Sequence, residues 1–100
     1  MCSEFVVKVL WKRHSEERYT ERVLKHGFTK TEAEYIVRKQ EVKTIKGYDK
    51  ASQKDIVEAI GAIGGKLFTI QKLEDKNEII IITLWESNEK EAEIWDLRKK

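Results

Sequence analysis

Residues 52–86, SQKDIVEAIGAIGGKLFTIQKLEDKNEIIIITLWE, decide how this chain folds. Ser52 followed by Asp55 has the spacing of a helix capping box, and Ala51 with Ile56 is placed as its hydrophobic staple. Ile56, Ala59, Ile60 and Ile63 then recur at helical spacing, so the pattern predicts a helix over Gln53–Ile63. Gly64-Gly65 reads as its stop, because glycine enters the left-handed conformation that ends helices. Lys66–Leu73 and Glu78–Glu86 follow as two strands joined through Asp75-Lys76-Asn77. Both faces of Ile79–Leu84 are apolar, which predicts a strand covered on both sides. A terminal helix from Ser87 or Asn88, presenting Ala92, Ile94, Trp95 and Leu97, is the candidate cover for the second face.

Upstream, Phe5, Val7, Val9 and Trp11 alternate with Val6, Lys8, Leu10 and Lys12, so the chain opens with a strand whose odd positions face the core. Ser15 is the expected N-cap of a first helix, with Glu16 and Glu17 at its positive end and Lys25-His26-Gly27 at its finish. Tyr19, Val23 and Leu24 form its narrow apolar face. Thr29 and Glu32 make a second capping box, with Phe28 and Ala33 as staple. A second helix therefore starts near Lys30 and buries Ala33, Ile36 and Val37. Val42–Ile45 reads as a short edge strand or extended connection. The expected fold class is α+β: a small antiparallel sheet packed against three to four helices, in the order β-α-α-(β)-α-β-β-α.

One hundred residues with 40% apolar and 38% charged content describe a single globular domain, residues 1–100, with a heavily charged surface. No apolar run is long enough to span a bilayer, so no membrane partner is expected. The one cysteine, Cys2, has no internal disulfide partner, which fits a cytoplasmic location. Charge is uneven: residues 1–50 carry 12 Lys/Arg against 8 Asp/Glu, residues 51–100 carry 8 against 10, and the net is +2. That imbalance falls well short of a basic nucleic-acid arm.

Two stretches resemble a known domain. Phe28-Thr-Lys-Thr-Glu-Ala-Glu-Tyr-Ile-Val37 resembles a helix start in the C-terminal domain of the ribosomal stalk protein. Asp55-Ile-Val-Glu-Ala-Ile-Gly-Ala-Ile-Gly-Gly-Lys-Leu67 resembles that domain's third helix, glycine stop and last strand. The opening strand Phe5–Leu10 fits the same order, which the Clp-protease adaptor shares. The resemblance covers residues 5–73 and implies a strand–helix–helix–strand–helix–strand layout with a protein-docking role. Glu34 stands where the stalk domain carries a lysine that helps contact translational GTPases, so the charge there is reversed.

No catalytic grouping stands out. His14 and His26 fall on different elements without Cys or His at ligand spacing, so neither metal nor cofactor is expected. Gly61-Ala-Ile-Gly64 has the outline of a GXXG phosphate-contacting loop but carries apolar residues between its glycines. Close packing at Gly61 is the favoured reading. Arg18, Arg22 and Lys25 fall at i, i+4 and i+7 on one stripe, with Lys12, Arg13 and His14 before them beside Trp11. The expected function is thus a non-enzymatic binding or adaptor module that docks on a protein, with Trp11, Arg13, Arg18, Arg22, Lys25 and Lys30 as candidate contacts. A host-directed regulator encoded by a virus or mobile element suits so compact a chain. The alternatives are nucleic-acid binding through the same stripe, and a structural homo-oligomer paired through Ile79–Leu84 or Trp95.

Overall fold

A computed structural model describes residues 8–39, 42–75 and 78–99. Phe5, Val7 and Cys2, and Lys76 and Asn77 of the expected strand connection, lie outside the described residues. The order is β1 (Lys8–Trp11), α1 (Arg13–Arg22), a 3-10 turn at Leu24–His26, α2 (Lys30–Lys39), β2 (Val42–Asp49), β3 (Lys54–Ile63), β4 (Lys66–Glu74), β5 (Glu78–Glu86) and α3 (Glu89–Lys99). The five strands form one sheet in the order β1-β5-β4-β3-β2. β2 to β5 make an antiparallel meander, and β1 lies parallel to β5 with Val9 opposite Ile79.

The expected helix at Gln53–Ile63 is strand β3, and this corrects both the element order and the helix count. Residues with apolar side chains at 56, 57, 59, 60 and 63 satisfy a helical stripe, yet they also fill both faces of a central strand. Three of them are isoleucine and one is valine, whose branched side chains favour the pleated conformation. Gly64 and Gly65 have φ of 59° and 83° and close the β3–β4 hairpin, so the supposed helix stop is a two-residue turn. The supposed capping box dissolves as well. Ser52 bonds backward, its N–H and hydroxyl donating to the Asp49 carboxylate at 3.2 and 2.6 Å, and Asp55 is exposed on β3. The sheet is mixed rather than purely antiparallel, and β2 runs four residues beyond the expected Ile45.

Other local signals hold. Val9 and Trp11 of β1 pack against the core. Thr29 and Glu32 form the reciprocal cap of α2, with the Thr29 N–H on Glu32 Oε1 at 2.8 Å and the Glu32 N–H on Thr29 Oγ1 at 3.1 Å. Ser15 is not the N-cap of α1 but its third residue. Its hydroxyl exchanges hydrogen bonds with the backbone of Lys12, which is the cap. Gly27, at φ 78°, ends the 3-10 turn.

Cross-strand partners share a face, so register assigns the sheet's two sides. Ala59, Ile70 and Leu84 form one row, with Phe68, Ile79 and Ile81 on the same side, under Tyr19, Val23, Phe28, Ala33, Ile36 and Val37 of the helical layer. Phe28 stacks on Phe68 with ring centroids 4.4 Å apart, worth about 1 kcal/mol beyond area. Gly61 lies under α2: a Cβ there would meet Ile36 side-chain carbons at 2.6–2.9 Å, so the helix seats on the sheet only because that side chain is missing. Ile60, Thr69 and Trp85 point to the opposite face. There α3 is tied down by the Trp85 indole N–H on Glu91 Oε1 at 2.9 Å and by the reciprocal Asn88–Glu91 cap.

Candidate docking surfaces

The sequence-predicted basic stripe is on the outside of α1, but its charges are largely engaged. Arg18 Nη1 sits 2.8 Å from Glu21 Oε1, Arg13 Nε 3.5 Å from Glu17 Oε2, and Lys30 Nζ 3.1 Å from Glu16 Oε1. Lys30 also lies over the Trp11 ring, 5.1 Å from its centroid. Trp11 itself is structural: its indole N–H donates to Glu34 Oε2 at 2.9 Å and its ring meets Tyr19 edge-on. Glu34, the charge-reversed position, therefore has a local partner on β1. Arg22 and Lys25 are exposed and, among the described residues, have no ion-pair partner. Exposed pairs of this kind contribute roughly 0–1 kcal/mol and hold charge loosely. The stripe is a solvated, mixed-sign face with two open cations at its end. The hollow on it is lined by Arg13, Glu16, Glu17, Thr20 and Glu21, all from one helix.

A different surface lies at the far edge of the sheet. Among the described residues β2 is the terminal strand, paired on one side only. Ile45 is 61% exposed and Tyr48 57% exposed, two of the large apolar side chains that stand open to solvent, alongside Leu24, Tyr35 and Leu97. Ile45 is opposite Val57 and Tyr48 opposite Asp55, and those partners belong to the helix-covered side, so both side chains look the same way. A bulge between Ile45 and Gly47 lets them do so while Lys46 turns to the other side, 3.8 Å from Glu58. Arg98 of α3 reaches this edge and donates from Nη1 to the Lys43 carbonyl at 2.5 Å. That carbonyl therefore points away from β3, and by the strand's two-residue repeat so do the N–H and carbonyl of Ile45. The sequence reads Val42–Ile45 as a short edge strand or extended connection, and nothing in it marks the continuation to Asp49 or the exposure of Ile45 and Tyr48.

Beneath the edge lies a charge cluster. Lys72 is fully buried on β4, hydrogen-bonded to Glu74, whose carboxylate also takes Lys43 Nζ at 3.1 Å. Burial pulls the Lys72 ammonium below its ordinary pKa, and Glu74 only partly restores it. Burial pushes the Glu74 carboxyl up, but the hydrogen bonds and charges of Lys72 and Lys43 outweigh that and hold it below the usual value. Lys72 is fully buried, and its ammonium is held by Glu74 within the sheet. At the other side of the strand ends, Lys54 bonds Asp75 at 2.9 Å and lies 3.3 Å from Glu78.

Among the described residues no three His, Cys, Asp or Glu side chains gather as metal ligands, and no helix is long and apolar enough to cross a membrane. The groove between α2 and β3, bordered by Tyr35, Ile36 and Gly61, holds about 30 Å3, room for a water. β5 lies between β1 and β4, with β1 paired along Glu78–Ile81. No protein-family model, curated protein or solved structure matches the chain.

Proposed function

We propose that this chain is a non-enzymatic docking module whose partner is a protein, engaged through the open β2 edge. The observation that carries this is the pair Ile45 and Tyr48, held exposed on one face of a strand whose outer backbone groups have no neighbouring strand. Proteins usually blunt such edges with charge or cover, because unpaired strand groups recruit another chain. β2 has a bulge, two lysines and the Arg98 contact, yet two large apolar side chains also stand exposed on it, and an added strand would satisfy its backbone while covering them. The docking role expected from the sequence is kept, but its surface moves from α1 to β2.

A second reading, nucleic-acid binding, is favoured by Arg22 and Lys25, whose exposed charges have no partner among the described residues. One capture experiment separates the two. Native chain, Ile45→Lys and Arg22→Glu are used as baits, and both protein and nucleic acid are identified. A protein retained by Arg22→Glu and lost by Ile45→Lys supports the β2 surface. Nucleic acid retained by Ile45→Lys and lost by Arg22→Glu overturns it.

A further inference from the structure

Resting on the β2 docking reading, we infer that the occupant of this edge is an extended protein segment alternating apolar and acidic side chains. It takes the Lys43 carbonyl from Arg98 when it binds. The two sides of the edge differ in chemistry. On the helix-covered side stand Ile45 and Tyr48, which call for apolar partners, with Lys43 beside Ile45 already held by Glu74. On the opposite side stand Lys46, 46% exposed, and Arg98, brought there by α3. Lys50 follows at the end of the strand and is exposed.

Anions nearby are fewer and mostly engaged. The Asp49 carboxylate accepts both Ser52 hydrogen bonds, Glu58 is 17% exposed beside Lys46, and Glu74 is 12% exposed between two lysines. Asp55 is exposed on β3 behind Tyr48, and Asp96 is exposed on α3 two residues before Arg98. Successive residues of an incoming strand point to alternate faces, so one set meets Ile45 and Tyr48 and the next meets Lys46 and Arg98. A second copy of the chain is the wrong occupant, since β2 against β2 would set Lys43 and Lys46 among their own copies.

Arg98 occupies a carbonyl that the incoming strand's N–H needs. The start of α3 is fixed by the Trp85–Glu91–Asn88 bonds, whereas Leu97 near its end is 78% exposed. The helix end is therefore the part that yields when the carbonyl changes partner.

The test uses the full chain, labelled with 15N, titrated with a seven-residue peptide alternating valine and glutamate. A valine–lysine peptide and a single-stranded RNA serve as comparison probes. The expected result is that the glutamate peptide binds, shifts the Lys43 and Ile45 amide signals, and weakens as salt is raised. Ile45→Pro, which removes an outward N–H, should weaken it about tenfold, and Lys46→Glu, which reverses a charge on the side that meets the glutamates, should weaken it severalfold. Ile45→Lys serves where the proline variant loses its native spectrum.

Equal or tighter binding of the lysine peptide at the same amides overturns the acidic-partner inference while leaving the docking edge standing. RNA shifting Arg22 and Lys25, with no peptide moving β2, overturns both.

Discussion

Replacing Glu74 by alanine should expose how this fold tolerates a lysine in its interior. Lys72 has 0% exposure and Glu74 is its hydrogen-bonded counter-charge, with Lys43 as the second cation on the same carboxylate. In Glu74→Ala the ammonium has two routes. If it stays charged, a buried ion without its partner costs about 3–5 kcal/mol. If it sheds its proton, the cost is set by the distance from the solution pH to the ordinary value of 10.5. At about 1.36 kcal/mol per unit that is roughly 5 kcal/mol at pH 7 and roughly 2 kcal/mol at pH 9.

The cheaper route governs, so the destabilisation should be about 3–5 kcal/mol at pH 7 and fall to about 2 kcal/mol at pH 9. Urea unfolding of native and variant chains at the two pH values measures it directly. Adding Lys72→Met to Glu74→Ala should recover most of the loss at pH 7, because the orphaned charge goes with it. A penalty that is the same at both pH values, or smaller than about 1 kcal/mol at pH 7, would refute the charge argument.

Three further outcomes follow from named contacts. Gly61→Ala should destabilise by about 1–3 kcal/mol through its clash with Ile36, and Ile36→Val in the same chain should return part of that in a thermal melt. Asn88→Ala removes the cap of α3 and should cost about 1 kcal/mol, with helical circular dichroism falling before the strand signal. For pH dependence, Glu74 has a depressed folded pKa, so its contribution is complete above the ordinary carboxyl range and lost as pH falls through the folded value. The Asp75 hydrogen bond raises the folded pKa of Lys54, so its contribution is complete below 10.5 and lost as pH rises through the higher value. Melting temperature across the pH range should therefore lose its acid-side dependence in part with Glu74→Gln and its alkaline-side dependence in part with Asp75→Asn.

The parts of the fold legible in the sequence are those fixed by neighbours a few residues apart. Thr29 and Glu32 cap α2 because the bond spans three residues, and no distant partner is needed to see it. The alternation from Val9 to Trp11, and the apolar run of β5, likewise announce strands whose side chains must be buried. Residues 53–63 fail for the opposite reason. Ile56, Ala59, Ile60 and Ile63 suit one face of a helix, while Val57, Ala59 and Ile63 against Ile56 and Ile60 suit the two faces of a strand. Only the chain brought alongside decides between them. β4 on one side and β2 on the other supply the hydrogen bonds, and α2 meets a glycine there. Once that segment is strand, the double glycine has to be a turn, and the third helix of the stalk-domain resemblance has no counterpart.

The same distinction governs the site. Arg18, Arg22 and Lys25 form a stripe on paper because helical spacing alone places them, but Glu21 three residues from Arg18 closes part of it. For β2 the sequence offers a short edge strand or extended connection at Val42–Ile45, but what surrounds that edge depends on sheet order and not on any one strand. Its chemistry needs Ile45 and Tyr48 turned together by a bulge, Lys46 turned away, and Arg98 arriving from a helix 55 residues downstream. Each of those placements depends on β3 being a strand. Ile45, Tyr48, Lys46 and Arg98 gather around one edge because β3 is the strand beside it, a neighbour that a helix at 53–63 would remove.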